Sequence, residues 1–151
     1  MENPILFYSH QFKLFYHEMF RSYQKEHHMT QLEIDILLFF INNPYFDTAK
    51  NLCEMRGIAK SNASNAIRTL EKRGLLSSRT DEHNRRIRRI SLTASGIRHA
   101  KQLQLIQRDC FEKILYDFSR EEICQMQDFL RKSSKNMSVF LKKSQEESKK
   151  C

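Results

Sequence analysis

Arg85, Arg86, Arg88 and Arg89 put four guanidinium groups into five consecutive positions. Upstream, the run Lys60-Ser61-Asn62-Ala63-Ser64-Asn65-Ala66-Ile67-Arg68 mixes short polar side chains with cations. The arginine cluster is suited to neutralising phosphate, because a guanidinium is a planar fork of donors that stays charged at any physiological pH. The polar run is suited to reading base edges. Asn can pair bidentately with an adenine edge, Arg with guanine or a phosphate, and Ser with either. Short side chains also let a helix backbone come close to the bases. The surrounding charge agrees. Residues 56–101 hold twelve Lys and Arg against three acids, a net +9, while the whole chain is +8, so everything else sums to −1. A basic block on a near-neutral body is the footprint of a surface that meets a polyanion.

These groups need elements to hold them. Asp47 or Thr48 can cap a short helix running to about Arg56, with Leu52 and Met55 inward, and Gly57 supplies a turn where positive φ costs least. A second helix from Lys60 to Lys72 turns Ala63, Ala66, Ile67 and Leu70 inward and Ser61, Asn62, Ser64, Asn65, Arg68 and Lys72 outward. Gly74 ends it. Leu75–Arg79 and Ile87–Leu92 alternate as two strands, with Thr80–Arg86 the loop between them. Two short helices, a tight turn and a basic hairpin make a winged helix-turn-helix. A charge run alone is usually solvated surface, and Ser and Asn are common at helix starts. The helix and the hairpin together are harder to explain that way. They mark Ser61, Asn62, Ser64, Asn65 and Arg68 as base readers and Arg85, Arg86 and Arg88 as the wing's anchors. Lys60, Lys72 and Arg79 add phosphate contacts.

The flanks read as helices. Residues 5–26 repeat Phe7, Tyr8, Phe12, Phe15, Tyr16, Met19, Phe20 and Tyr23 at helical intervals, an unusually aromatic stripe that suits a core or a subunit interface. Thr30-Gln31-Leu32-Glu33 has the form of a capping box before the apolar run Ile34–Ile41, which Asn42-Asn43-Pro44 stops. Leu92-Thr93-Ala94-Ser95-Gly96 leads into a helix to about Phe118, with Ile97, Ala100, Leu103, Ile106, Cys110, Ile114 and Leu115 inward. Ser119-Arg120-Glu121-Glu122 opens a last helix carrying Ile123, Met126, Phe129 and Leu130. The fold class is mainly α with a small β-hairpin: a winged lobe over 30–98, a helical dimerisation region over 1–29 plus 99–141, and a polar, disordered tail over 142–151.

Composition excludes several classes. Three Gly and two Pro in 151 residues argue against an all-β fold. No apolar run approaches the ~18–20 residues of a membrane span, and the start MENPILFYSH lacks a signal peptide's basic region, so a cytoplasmic protein without a membrane partner is expected. No Gly-rich phosphate loop, nucleophile elbow or HExxH supports an enzyme. Cys53, Cys110, Cys124 and Cys151 show no metal-ligand spacing and read as free thiols, with Cys110 and Cys124 buried and Cys151 exposed. No metal or cofactor is expected. The basic block holds no aromatic residue, against an RNA platform. A winged module for protein contact is the alternative class, disfavoured because it has no need of so many arginines.

The stretch Thr48-Ala49-Lys50-Asn51-Leu52, Ile58–Leu70 and Glu71-Lys72-Arg73-Gly74-Leu75, then Arg79-Thr80-Asp81, Asn84-Arg85-Arg86, Ser91-Leu92-Thr93 and Gly96, resembles the MarR family of bacterial transcription regulators. The resemblance implies a homodimer closed by the first and last two helices, a repressor bound to double-stranded DNA at a pseudo-palindromic operator, and recognition helices one DNA turn apart (~34 Å). The family's wing usually reads Asp-x-Arg. Here Asn84 stands in the acid's place and cannot make the charge-assisted bond to Arg86, the wing-tip arginine, although Asp81 is near enough to substitute. Such regulators are often released by small molecules, which makes Phe12, Tyr16 and His17 candidates to line an effector pocket. The plainer use of these three is interface or core. A metal- or oxidant-responsive member of the family is a further alternative, the latter through Cys53; for the former, His10 and His17 lie seven apart on about one helical face and His27 and His28 are adjacent, but His99 has Leu103, not another ligand, one turn later.

Overall fold

The computed structural model describes residues 3–148. In chain order they form α1 (Pro4–His27), α2 (Gln31–Asn42), α3 (Ala49–Arg56), α4 (Lys60–Lys72), β1 (Leu76–Thr80), β2 (Arg88–Leu92), α5 (Ala94–Ile114) and α6 (Arg120–Ser148). The chain divides into two units, Met1–Cys110 and Phe111–Cys151. No helix among the described residues is long and apolar enough to cross a membrane.

Helix starts follow the capping chemistry of the sequence. Thr30 and Glu33 form the full capping box: the Glu33 N–H donates to Thr30 Oγ1 at 3.2 Å, and the Thr30 N–H donates to the Glu33 carboxylate at 2.7 Å. Thr48, not Asp47, caps α3 by accepting from the Asn51 N–H at 3.1 Å. Gly57 closes α3 at φ 64°, where an L side chain would be strained.

In the first unit α2 is the centre, because Ile34 and the run Ile36–Phe40 are buried on all sides. Leu52 from α3, Leu70 from α4, Ile90 from β2, Leu103 from α5, and Phe20 and Tyr23 from α1 share that core. The lobe expected over 30–98 is therefore packed together with α1 and residues 94–110. The hairpin pairs Leu76 with Leu92 through Thr80 with Arg88, one residue later than expected at each strand start.

Gly96 fixes the rotation of α5. A Cβ there would lie 1.9 Å from the Leu75 carbonyl oxygen, so only glycine lets α5 start against the α4–β1 corner. Thr93 completes the joint, its hydroxyl donating to the Gly74 carbonyl at 2.6 Å and accepting from the Gly96 N–H at 3.0 Å. With Gly96 inward, Ala100, Leu103 and Cys110 follow it, and Ile97, expected inward, is exposed. Met55 is exposed too, since α3 ends one residue later.

In the second unit Ser119 and Glu122 form the second capping box, with the Ser119 N–H donating to Glu122 at 2.7 Å and the Glu122 N–H to Ser119 Oγ at 3.2 Å. The Ser119 N–H, and then its hydroxyl, bond the Glu122 carboxyl and hold it below its ordinary pKa. The helix expected to reach Phe118 stops at Ile114. In α6 Ile123 and Met126 are half-buried, while Phe129, Leu130 and Cys124 are exposed, which corrects the expected burial of Cys124. The tail expected to fray from 142 is helical through Ser148, and residues 149–151, Cys151 among them, lie outside the described residues.

Candidate nucleic-acid interface

The α4 helix is amphipathic in the sense the interface requires. Ala63, Ala66, Ile67 and Leu70 are buried, while Lys60, Ser61, Asn62, Ser64, Asn65, Arg68 and Lys72 are all exposed. Small alanines on the inner face let α4 sit close to α2 and α3. Its N-cap is Ala59, with no side-chain cap, so the first-turn N–H groups carry no capping bond and the positive end of the helix dipole is open to an anion. At 100° per residue, Ser61, Asn65, Arg68 and Lys72 line the outer crest, and Asn62 lies about 100° from it on the far flank.

The wing loop is organised by two side chains. Asp81 Oδ1 accepts from the N–H groups of His83 and Asn84, both at 2.9 Å. Asn84 Oδ1 accepts from the Arg86 N–H at 3.0 Å, and its carbonyl from the Ile87 N–H at 2.9 Å. Asn84 thus shapes the loop backbone and does not brace the Arg86 guanidinium. Asp81 does not brace it either. Its second oxygen takes Arg89 Nε at 2.8 Å, and Arg89 Nη1 donates to Asp47 at 2.7 Å. The Arg89 bond and the two loop N–H groups hold the Asp81 carboxyl below the usual carboxylate range. Arg85 and Arg86 are exposed and have no ion pair among the described residues. Arg88 is exposed as well but pairs with Glu71 on α4 at 3.4 Å, and the Ser78 hydroxyl bonds the same Glu71 oxygen.

Helix and wing share one surface. A groove of about 520 Å³ runs between them, lined by Lys60, Ser64 and Arg68 from α4, Arg86 and Arg88 from the wing, and Lys50 from α3. It does not take in Ser61, Asn62, Asn65, Lys72, Arg79 or Arg85, which are exposed beside it.

Sequence reasoning missed Asp47, Arg89 and Glu71. The one available signal was register: Arg79 pairs directly with Arg89, and facing cations need a nearby carboxylate. It also counted Arg73 in the net charge of the basic block. That guanidinium donates to the carbonyls of His27 and His28, at 2.6 and 3.0 Å, and closes the end of α1, where His28 adopts φ 51°. Beside it, Tyr23 bonds His99 Nδ1 and the His27 and His99 rings meet edge to face at 5.0 Å. Burial, and then His27, Arg73 and Arg98, pull the His99 pKa down.

The three residues considered for an effector pocket separate. Phe12 and Tyr16 are half-buried in an aromatic ladder, Tyr16 stacking on Phe12 at 5.6 Å and lying 4.9 Å from Phe20, while His17 is exposed. The Tyr16 hydroxyl accepts from Gln107 at 2.9 Å, and burial pushes its pKa up to about 12. Nearby, burial raises the Asp35 carboxyl, whose oxygen accepts from the Gln31 amide at 3.0 Å. Among the described residues no group of three or more His, Cys, Asp or Glu comes together to hold a metal ion.

Fold and surface define the class: a winged helix-turn-helix protein. Residues 27–87 match the model of the MarR family. Solved structures agree in fold. A MarR family transcriptional regulator from Listeria monocytogenes complexed with a 26mer DNA is 19% identical with a TM-score of 0.81, over 92% of this chain and 91% of that one. The transcriptional regulator SlyA is 22% identical with a TM-score of 0.79, over 91% and 96%. MepR of S. aureus, solved as a DNA complex, is 22% identical with a TM-score of 0.71, over 89% and 99%. No curated protein matches the sequence.

Proposed function

We propose that this protein is a sequence-specific double-stranded DNA-binding transcription regulator of the cytoplasm, a repressor that binds a pseudo-palindromic operator as a homodimer. The observation that carries the reading is the single basic surface on which the uncapped α4 and the wing arginines converge, with Lys60, Ser64, Arg68 and Arg86 around one groove. A helix of this width fits a major groove, and a loop bearing Arg85 and Arg86 fits the adjacent minor groove. Ser61, Asn62, Ser64, Asn65 and Arg68 read bases. Lys60, Lys72, Arg79, Arg85 and Arg86 hold phosphate or the minor groove, and Arg88 does so only after releasing Glu71.

Homodimerisation has its own support in each unit. Ile5, Leu6, Phe7, Tyr8 and Leu14 are exposed on α1, and Phe129, Leu130, Met137 and Phe140 on α6, apolar faces of the kind a second copy covers. A small-molecule effector beside Phe12, Tyr16 and His17 would have to enter among rings already packed on one another, Phe12 on Tyr16 and Tyr16 on Phe20.

Binding to random-sequence duplex across a salt titration tests the function. The expected result is an affinity falling steeply as salt rises, because each neutralised phosphate releases counterions. Absent or salt-insensitive binding at low ionic strength would sink the reading and direct attention to a protein partner.

A further inference from the structure

We propose that Arg89 is a positioning residue: it locks the wing to the start of the helix-turn-helix through Asp47 and Asp81 and makes no DNA contact itself. The lock stands on geometry alone, and its consequence for DNA rests on the function proposed above.

Arg89 lies on the hairpin opposite Arg79, so two like charges face each other in register. Its guanidinium turns instead to two carboxylates, Nη1 to Asp47 at 2.7 Å and Nε to Asp81 at 2.8 Å, the short lengths of charge-assisted bonds. Each carboxylate residue is fastened a second time. Asp81 accepts from the N–H groups of His83 and Asn84 inside the loop. The Asp47 carbonyl accepts from the Ile90 N–H at 2.7 Å, which ties the segment before α3 to β2. Asp47 immediately precedes Thr48, the cap of α3. One continuous chain of bonds therefore runs from the start of α3 through Arg89 to the loop that carries Arg85 and Arg86.

Two carboxylates already engage the Arg89 guanidinium, so its charge is neutralised within the protein. Arg89 is thus a poor phosphate ligand, and the residue stiffens the wing before DNA arrives, so less ordering is needed on binding. Without the lock, Arg86 would still be present but would have to find the minor groove from a mobile loop.

The sign of the effect separates positioning from charge. Asp47→Asn and Asp81→Asn each remove a negative charge from a DNA-facing surface. A charge effect alone would tighten binding, whereas the lock requires each to weaken it severalfold. Arg89→Ala should weaken duplex binding about tenfold, the scale of a lost hydrogen bond to a charged group. Its log–log salt slope should stay near the wild-type value, while Arg86→Ala should flatten that slope by about 0.9, one phosphate's worth. Hydrogen exchange of the free protein reads the lock without DNA. The amides of His83, Asn84 and Ile90 should exchange faster in Arg89→Ala and Asp81→Asn, with the α2 amides unchanged to show an intact fold. Unchanged exchange at those three amides would overturn the lock. Tighter binding by the Asn variants, or an Arg89→Ala slope that falls like that of Arg86→Ala, would overturn the positioning role. If the wild type binds no duplex, the proposed function fails and the exchange data still decide the lock.

Discussion

Asn65 and Arg86 are the residues on which the division of labour turns. Asn65 sits on the outer crest of α4 and Arg86 at the wing loop, both exposed. Arg86→Ala should weaken operator and random duplex alike. Asn65→Ala should cost operator binding about 1–3 kcal/mol and leave random duplex nearly untouched. Competition binding with both duplexes checks this, and uniform loss in both variants would remove Asn65 from the base readers. Residue chemistry also sets a pH response at His99. Its folded pKa is depressed, so the stability it contributes is complete above the ordinary histidine pKa and is lost as pH falls through that value towards the folded one. Thermal melting should therefore drop between about pH 7 and pH 5, and His99→Gln should flatten that drop. Equal drops in both proteins would place the acid sensitivity elsewhere.

At the scale of elements, local signals were legible where they act between residues close in sequence. Thr30 and Glu33, Ser119 and Glu122, and Gly57 mark helix ends by side-chain reach and backbone freedom, and each acts as the sequence implied. The inner stripe of α4 was equally plain, since Ala63, Ala66, Ile67 and Leu70 recur at helical spacing. Tertiary contacts were not legible. Nothing local says that Gly96 must touch the Leu75 carbonyl, and so Ile97 was placed inward at the start of α5 in place of Gly96, although Ala100, Leu103 and Cys110 were assigned correctly. For the same reason Arg88 and Arg89 read as free cations, because Glu71 and Asp47 reach them only through folding. Two stability predictions belong here. Gly96→Ala should cost about 3 kcal/mol, the upper end of overpacking, because the clash is with backbone that cannot rotate away. Thr30→Ala should cost about 1 kcal/mol, the usual worth of an N-cap. Denaturant unfolding of the two variants checks both, and a Gly96→Ala protein as stable as wild type would contradict the close approach at that joint.

At the scale of the whole molecule, the charge map and the apolar map describe different tasks. Basic side chains gather on α4 and the wing, although four of the twelve cations between 56 and 101 have internal partners: Arg73, Arg88 and Arg89 through hydrogen bonds or ion pairs, and Arg56 over the Phe39 ring. Apolar side chains lie open on α1 and α6. A polyanion suits the first surface and a second copy the second. If so, sedimentation at micromolar concentration should give twice the chain mass. Phe129→Glu combined with Phe140→Glu should shift the protein towards monomer, as charge enters an apolar contact. A monomeric wild type would leave those faces to another partner. A symmetric dimer also constrains what it binds, since two identical α4 helices read two identical half-sites. The most direct measurement is selection of the tightest duplexes from a random-sequence pool by the full-length protein. The expected result is an inverted repeat with half-site centres one helical turn apart, about 10 base pairs. Recovery of no common sequence, or of a single unrepeated site, would contradict a dimeric, base-reading regulator.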